Sequence, residues 1–323
     1  MKLASIEKIA DIFPHPNADS LEFVRVLGYN CIVPKNKWKI GDPCVLIQPD
    51  TVLPNDSWAE VYKAKSKRVR AIKLRGEYSF GIVETLEINE NLGQFRDSEG
   101  EEVSQILNIV KYEAPVPQDL SAVGGLPYGI CKTDEERFQN LKIEKLLGSR
   151  VDITLKVDGQ SFTAFYKDGE FGVCGRTMQY KEDVVNNYNI NAQNYILKQK
   201  LAYYCEQHGV NIALRGEQFG SGIQASASNP HAKKKLGLMF FSCWDIDNKR
   251  YFNPDEKHYY RNVCAELNLP TVPLLETNIP LTLEHLSKYQ NCENLDGEMF
   301  EGVVFVGKNF SFKVINLNYD SKK

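Results

Sequence analysis

Residues 151–159 read Val-Asp-Ile-Thr-Leu-Lys-Val-Asp-Gly, and this stretch decides how the rest of the chain is interpreted. Apolar residues alternate along it, which predicts a β-strand that carries Lys156 and Asp158 to one face, two residues apart. Gly159 then allows the backbone to turn. A lysine beside a carboxylate at a strand end can be a covalent nucleophile, or it can form an ordinary surface ion pair. The segments that follow favour the first interpretation.

The composition limits the class of protein. The chain has 323 residues, of which 42% are hydrophobic, and this is enough for two domains that each bury a core. The net charge of −3 does not indicate a nucleic-acid binder, so contacts with phosphates would have to come from local patches. Eight cysteines without a Cys-x-x-Cys pair, and five scattered histidines, predict reduced thiols in an intracellular, cytoplasmic protein. No long apolar run predicts a membrane span.

The distribution of turn residues predicts two domains. Residues 113–129 are dense in proline and glycine and show no periodicity, so we interpret them as a linker between domains at 1–112 and 130–323. Short β-rich segments before the linker predict a small barrel or sandwich. After the linker, helical and strand patterns alternate, with helices predicted at 181–209 and 255–267. The second domain is therefore predicted to be α+β and built on antiparallel sheets.

Residues 9–21, Ile-Ala-Asp-Ile-Phe-Pro-His-Pro-Asn-Ala-Asp-Ser-Leu, resemble the opening of tRNA-binding OB domains. In those domains a His-Pro-Asn-Ala-Asp turn joins two barrel strands. The resemblance implies an N-terminal OB-like β-barrel more than it implies tRNA as the ligand. We interpret His15 and Asn17 as turn formers.

Further segments follow Lys156 in a fixed order, and together with it they resemble the nucleotidyltransferase motifs of polynucleotide ligases and capping enzymes. The segments are Gly-Arg-Thr at 175–177, Leu-Arg-Gly-Glu-Gln-Phe-Gly at 214–220, Phe-Phe-Ser-Cys-Trp-Asp-Ile at 240–246, Glu-Gly-Val-Val-Phe at 301–305 and Ser-Phe-Lys-Val-Ile-Asn at 311–316.

The resemblance implies how the nucleotide is held. Lys156 would attack the α-phosphate of ATP, release pyrophosphate and leave a lysyl–AMP phosphoramidate. Arg176 would contact the nucleotide, and Glu217 would accept hydrogen bonds from the ribose hydroxyls. Trp244 would stack on adenine, and Lys313 would neutralise the α-phosphate.

The resemblance also implies a metal. Asp158 and Glu301 would hold Mg²⁺ or Mn²⁺, mainly through water. A free lysine has a pKa of about 10.4, and both desolvation and a nearby cation would favour the neutral amine at Lys156. The last motif departs from the family pattern, because Ser311 stands where the first of two lysines is often found. This leaves open whether Lys308 assists Lys313.

Residues 132–140, Lys-Thr-Asp-Glu-Glu-Arg-Phe-Gln-Asn, resemble the segment that precedes the nucleophile in one RNA ligase family. There the arginine, here Arg137, helps to bind the leaving phosphates. An alternative interpretation is a capped helix start, with Thr133 as the N-cap and Glu136 three residues later.

The OB-like domain precedes the nucleotidyltransferase motifs, and few residues follow Lys313. This order of domains resembles that of the RNA ligase family with an N-terminal OB domain. This resemblance implies ATP-dependent sealing of 3′-OH/5′-phosphate nicks, through lysyl–AMP and an AMP-capped 5′ end. The partner would be a nicked RNA duplex or RNA/DNA hybrid, and the enzyme a monomer. Two alternatives remain open: an ATP-dependent DNA ligase of unusual domain order, and a non-catalytic RNA-binding protein on the same scaffold.

A basic run in the first domain bears on the choice of partner. Between residues 63 and 75 the chain carries seven basic residues and no acid. The run is either a solvated barrel face or a contact with the duplex backbone, and a domain beside a ligase favours contact. The residues expected to bind nucleic acid are Lys65, Lys67, Arg68, Arg70 and Lys73.

Overall fold

The structure is a computed structural model, and it describes residues 2–63, 67–112, 121–132 and 134–322. It divides into two compact units. The N-terminal unit comprises residues 1–116 with 138–143, and the C-terminal unit comprises 117–137 with 144–323. Residues 138–143 thus pack with the N-terminal unit, although they follow the predicted linker.

The N-terminal unit is built from short antiparallel strands. They are β1 (Ala4–Lys8), β2 (Asp11–Pro14), β3 (Leu21–Val26), β4 (Tyr29–Pro34), β5 (Pro43–Ile47), β6 (Thr51–Val52), β7 (Ala71–Leu74), β8 (Glu77–Phe80), β9 (Ile82–Glu84) and β10 (Val110–Lys111). They pair as β1-β5-β9, β2-β3-β4, β7-β8 and β6-β10. One helical turn, α1 (Glu60–Lys63), precedes β7. Apolar side chains such as Ile6, Val45 and Leu92 are fully buried in a common core.

The predicted turn between β2 and β3 is held by its own side chains. The Asn17 backbone N–H donates to His15 Nδ1 at 3.1 Å, and Asn17 Nδ2 donates to the Arg75 carbonyl at 3.1 Å. The other ring nitrogen of His15 lies 3.2 Å from the carbonyl of Leu74. His15 and Asn17 therefore tie this turn to the end of β7.

The C-terminal unit contains two antiparallel sheets. Its strands are β11 (Ala122–Gly125), β12 (Arg150–Lys156), β13 (Gln160–Lys167), β14 (Glu170–Cys174), β15 (Met178–Tyr180), β16 (Ile212–Phe219), β17 (Gly237–Asp245), β18 (Arg250–Tyr251), β19 (Leu274–Pro280), β20 (Gly302–Gly307) and β21 (Phe310–Ile315). The larger sheet has the order β11-β15-β14-β13-β16-β17-β18, and the smaller sheet has the order β19-β12-β20-β21. The predicted α+β class with antiparallel sheets is confirmed.

Helices cover one face of the larger sheet. The helices of this unit are α2 (Asn187–Asn194), α3 (Leu197–His208), α4 (Tyr260–Glu266), α5 (Leu283–Asn291) and α6 (Leu317–Asp320). The core beneath α3 and α4 includes Leu201 and Val263 from the helices and Phe162, Leu214 and Phe240 from the sheet. Within the described parts of the chain, no helix is long and apolar enough to cross a membrane.

The predicted helices are longer than the observed ones. Residues 181–209 were expected to form one helix, but α2 begins only after Asn186, whose side chain accepts from the Asn189 N–H. A left-handed residue, Ile196 with φ +55°, then separates α2 from α3. Side-chain capping and one positive φ thus overrode a continuous polar and apolar pattern. In the second predicted helix, 255–267, only α4 is helical.

The chain crosses between the two sheets directly after β12. Strand β12 belongs to the smaller sheet and β13 to the larger one. Residues 157–159 make this crossing, and Lys156 is the last residue of β12. The nucleophile candidate therefore lies where the two sheets meet.

Candidate active site

The turn after Lys156 needs a residue without a side chain. A Cβ at Gly159 would lie 2.2 Å from the backbone oxygen of Gln218, far inside van der Waals contact. The Gly159 N–H also donates to Glu217 Oε1 at 3.1 Å. Glycine at this position thus lets the turn lie directly on β16 and brings Glu217 beside the predicted nucleophile.

Lys156 forms an ion pair with Glu301. Its Nζ lies 2.6 Å from Glu301 Oε2, because Lys156 pairs in register with Gly302 on β20. Burial lowers the pKa of Lys156, but Glu301 foremost, together with Glu217 and Asp158, raises it by more. The net direction is upward, so the lysine is an ammonium in this structure. Desolvation thus favours the neutral amine, as expected, but in these side chains alone the carboxylates outweigh it.

Carboxylates surround this one ammonium. Burial raises the pKa of Glu217 to about 8; Lys156 opposes the shift, and the charges of Glu301 and Asp158 add to it. Burial also raises the pKa of Glu135, against a hydrogen bond from Ser311 and the charges of lysines that include Lys156. Lys156 therefore lies among three carboxyl groups, those of Glu301, Glu217 and Asp158.

Two residues that the sequence argument did not identify hold Asp158. Asp158 is 6% exposed, and its Oδ2 accepts from the Tyr319 hydroxyl at 2.5 Å. Its backbone oxygen accepts from Asn229 Nδ2 at 3.1 Å. No motif identifies Tyr319 or Asn229, because each is far from Asp158 in sequence and follows no periodic pattern.

The segment before the nucleophile is extended and lies along β21. The Lys313 N–H donates to the Glu136 carbonyl at 2.8 Å, and Arg137 forms a parallel bridge with Lys313. Arg137 is 2% exposed. The alternative of a capped helix start is therefore wrong: only a 3₁₀ turn follows, at Phe138–Asn140. Thr133, the proposed N-cap, lies outside the described residues.

Ser311 stands where the family motif often has its first lysine, and its side chain forms a hydrogen bond. Ser311 Oγ donates to Glu135 Oε2 at 2.6 Å, on the same strand as Lys313. Lys308 lies on the turn before β21, and its Nζ pairs with Asp255 Oδ2 at 2.9 Å with the side chain 71% exposed. Lys308 is thus paired outside the group of carboxylates around Lys156.

Arg176 lies just beyond the end of β14. Its guanidinium pairs with Asp134 at 3.2 Å, and its side chain is 40% exposed. Asp134 belongs to the same extended segment that carries Arg137. The ion pair therefore links Arg176 to the segment beside Lys313.

Trp244 lies in a packed environment. It is 8% exposed, and its Nε1 donates to the Gly129 carbonyl at 2.8 Å. The Arg215 guanidinium lies 5.0 Å from the ring centroid, and Tyr251 meets the ring edge-on. Stacking on adenine, as predicted for Trp244, would require this ring to be uncovered. Phe241, by contrast, is half-buried and packs against the cluster that contains Val157.

The predicted nucleic-acid contacts differ in their surroundings. Lys67 and Lys73 are exposed, and Arg70 is half-buried. Arg68 donates through Nε to Asp50 at 3.1 Å and lies 4.2 Å from the centroid of the Tyr112 ring. Arg68 is therefore engaged within its own unit. Lys65 lies outside the described residues.

The carboxylates beside Lys156 fit a divalent cation. Asp158 and Glu301 offer hard oxygen donors, and after burial the charges of these two carboxylates contribute to the raised pKa of Glu217. No group of three or more His, Cys, Asp or Glu side chains forms a metal site in the described residues. A cation that keeps water and substrate oxygens as ligands, as Mg²⁺ does, needs only one or two carboxylates.

Comparison with known families agrees with this geometry. The sequence model of the RNA ligase family matches residues 149–315, which is more than half of the chain. An OB-fold domain family matches residues 3–86, which confirms the predicted OB-like domain. No curated protein matches the sequence.

Solved structures of an RNA ligase from Naegleria gruberi are similar over the whole chain. A variant with AMP and Mn has 30% sequence identity and a TM-score of 0.86, and the match covers 100% of this chain and 99% of that one. A variant with ATP and Mn gives the same identity, TM-score and coverage. The ligase with pyrophosphate has 30% identity and a TM-score of 0.85, covering 99% of this chain and 98% of that one.

Proposed function

Because the chain belongs to the RNA ligase family, we propose that it uses ATP to seal 3′-OH/5′-phosphate nicks in duplex RNA or RNA/DNA hybrids. The observation that carries the proposal is the Lys156 ammonium, held 2.6 Å from Glu301 and surrounded by further carboxylates at the crossing of two sheets. The relatives with ATP and Mn or with AMP and Mn support ATP as the substrate and Mg²⁺ or Mn²⁺ as the cofactor.

The first step requires Lys156 to lose a proton. Its ammonium donates to Glu301, and the carboxylates hold its pKa above that of a free lysine. A cation at Asp158 and Glu301 would supply positive charge that offsets these carboxylates and makes the neutral amine accessible. The hydrogen bond to Glu301 holds Lys156, and separate hydrogen bonds fix Asp158 and Glu217.

In the transfer itself, Lys156 Nζ forms a bond to the α-phosphorus of ATP. The bond from that phosphorus to the bridging oxygen breaks, and the electron pair leaves with pyrophosphate. Lys313 and Arg137, adjacent across β21, would balance the charge that builds on the phosphate oxygens. Arg176 would contribute once its ion pair with Asp134 opens. Glu217 would accept from the ribose.

Sealing follows from the lysyl–AMP. An oxygen of the nick's 5′-phosphate attacks the AMP phosphorus and displaces the Lys156 amine, which produces the AMP-capped 5′ end. The 3′-OH then attacks the 5′-phosphate, and AMP leaves. Lys156 is restored, and the protein acts as a monomer in this scheme.

We assign the grip on the duplex to the N-terminal domain, 1–112, and the lysine chemistry to 130–323. Lys67 and Lys73 are exposed cations on the OB-like unit, and Arg70 lies between them. Lys65 belongs to the same run by sequence. Arg68 contributes only if phosphate competes with Asp50 for its guanidinium. Such contacts weaken steeply with salt.

The test has two arms on the full chain. Incubation with α-labelled ATP and Mg²⁺ or Mn²⁺ should label the wild type and not Lys156→Ala. Lys156→Arg should also stay unlabelled, because it keeps the positive charge opposite Glu301 but has no nucleophilic amine. Label that persists in either variant would exclude Lys156 as the nucleophile, and an unlabelled wild type would support the non-catalytic alternative.

The second arm compares two nicked duplexes that differ only in the sugar at the 3′-OH end. The proposal expects the ribose end to be sealed faster than the deoxyribose end. Equal rates would favour the DNA ligase alternative.

A further inference from the structure

We infer that the loop between β16 and β17, residues 220–236, holds the phosphate backbone of the polynucleotide beside the nucleophile. We call it the lysine loop. The inference rests on the proposed function and adds a nucleic-acid surface on the C-terminal unit, separate from the basic run of the OB-like unit. Four observations on described residues carry it.

The first observation is charge. No acidic residue lies between Glu217 and Asp245, whereas this interval carries Lys233, Lys234 and Lys235 in succession. All three lysines are exposed. Lys234 lies 3.9 Å from Glu298, with the two side chains 47% and 64% exposed, and a pair of this kind contributes little. The lysine loop is thus a local positive surface on a chain whose net charge is −3.

The second observation is attachment to the active site. Asn229 is 1% exposed, and its Nδ2 donates to the backbone oxygens of Asp158 and Gln224, each at 3.1 Å. Its Oδ1 accepts from the His231 N–H at 2.9 Å. One buried amide therefore fixes the lysine loop to the turn that follows Lys156. A phosphate held by the loop would lie near the reacting groups.

The third observation is a cleft beside the lysine loop. A cleft of about 460 Å³ opens beside the loop, and its volume falls in the range of ligand-sized clefts. Its lining includes two cations, Lys233 and Lys322, one acid, Glu298, and the polar side chains of Ser228 and Asn229. Ala227, Pro230 and Met299 complete the lining, so the cleft offers apolar contact for a sugar or base together with an excess of positive charge for phosphate.

The fourth observation selects the occupant. Three successive exposed lysines place several positive charges on one short segment, which suits a polyanion that carries more than one phosphate. Small side chains at residues 225–228 (Ala-Ser-Ala-Ser) leave room for a sugar–phosphate backbone to approach. The compact triphosphate of ATP already has Lys313, Arg137 and Arg176 in its proposed site. The polynucleotide is therefore the better occupant.

The experiment uses the full chain with Lys233→Gln, Lys234→Gln and Lys235→Gln combined. Lysyl–AMP enzyme is prepared, its occupancy is measured, and nick sealing is followed at matched occupancy across a salt series. We expect sealing at physiological salt to fall roughly tenfold. The dependence on log salt should become shallower by roughly one for each phosphate that the variant no longer neutralises. The triple arginine variant should restore both.

A matched control removes three lysines from the helical side of the larger sheet: Lys198→Gln, Lys200→Gln and Lys257→Gln. This control should keep the wild-type salt slope. An equal loss in the control, or wild-type sealing in the lysine-loop variant, would overturn the inference. A defect confined to lysyl–AMP formation would also overturn it, because the lysine loop would then serve the triphosphate. Failure of the wild type to seal nicks would instead count against the proposed function.

Discussion

At the scale of single residues, Phe241 and Trp244 lie three positions apart on β17 in different surroundings. Trp244 is covered by Arg215 and Tyr251 and bonded to Gly129. Phe241 packs against a cluster that contains Val157, the residue after the proposed nucleophile. Both rings present a π-face that could stack on adenine, but only Phe241 packs against the cluster that includes the residue after Lys156. We therefore expect Phe241 rather than Trp244 to contact the base.

Substitution separates the two rings. In a Lys156→Ala background, which prevents turnover, Phe241→Ala should weaken ATP binding by about 1 kcal/mol, and Phe241→Tyr should keep most of it. Trp244→Phe should retain ATP affinity, and Trp244→Ala should chiefly lower the melting temperature because it empties a packed site. Calorimetric titration and thermal melts measure the two effects. Weakened ATP binding in Trp244→Phe, with wild-type binding in Phe241→Ala, would restore the sequence-based prediction.

Phe241 also shows why the face on which a strand residue lies cannot always be predicted from sequence. The pairing of β16 with β17 shifts between Arg215 and Gly216, which face Ser242 and Phe240, so Phe241 has no partner of its own. A bulge of this kind breaks the alternation of faces along a strand. Counting by twos from Asp245 therefore cannot identify the ring that faces the nucleophile.

At the scale of elements, the crossing from β12 to β13 depends on close backbone contact. Gly159→Ala would place a Cβ 2.2 Å from the Gln218 carbonyl oxygen, so the turn would have to move away from β16. The hydrogen bond from the Gly159 N–H to Glu217 would break as the turn moves. The lysine and the proposed ribose-binding carboxylate would then no longer be held together.

We expect Gly159→Ala to reduce lysyl–AMP formation at least tenfold and to destabilise the fold by about 1–3 kcal/mol, the usual cost of overpacking. Labelling with α-labelled ATP and urea unfolding measure the two quantities. Gly124→Ala is the matched control, since a Cβ there meets nothing within 4 Å. Wild-type labelling in Gly159→Ala would mean that the turn tolerates a side chain and that its contact with β16 is dispensable.

Across the whole molecule, the exposure of each cysteine shows whether the core around it is closed. All eight are free thiols; Cys131 is exposed, Cys292 is half-buried, and the other six are buried. Burial raises the pKa of Cys31 in the N-terminal unit, and of Cys205 in the C-terminal unit, to about 12. Reactivity needs both access and the thiolate, and the buried thiols lack both.

The native protein should therefore react rapidly with a thiol reagent at about two cysteines, Cys131 faster than Cys292. All eight should react in denaturant without reductant, since no disulfide links them. Absorbance of the released chromophore gives the count, and peptide mapping gives the sites. Rapid native labelling of Cys31 or Cys205 would indicate that the corresponding core opens under native conditions.

The α+β class, the OB-like domain, the family and the order of the motifs could be predicted from the sequence alone. These features are local: alternation of apolar residues, turn chemistry and short motifs depend on neighbours within a few positions. Lys156 and Gly159 could be assigned for the same reason, because a strand end and a tight turn are specified within nine residues. The local pattern did not predict the break between α2 and α3 at Ile196.

The balance of charges around Lys156, by contrast, depends on the folded structure. Glu301 reaches Lys156 from 145 positions away and Tyr319 reaches Asp158 from 161, and no local pattern encodes such pairs. Whether burial or the carboxylates control the pKa of Lys156 depends on distances of a few ångströms, which sequence spacing does not contain. The docking of Glu135 on Ser311 has the same origin: a strand acquires its neighbour only when the chain folds back on itself.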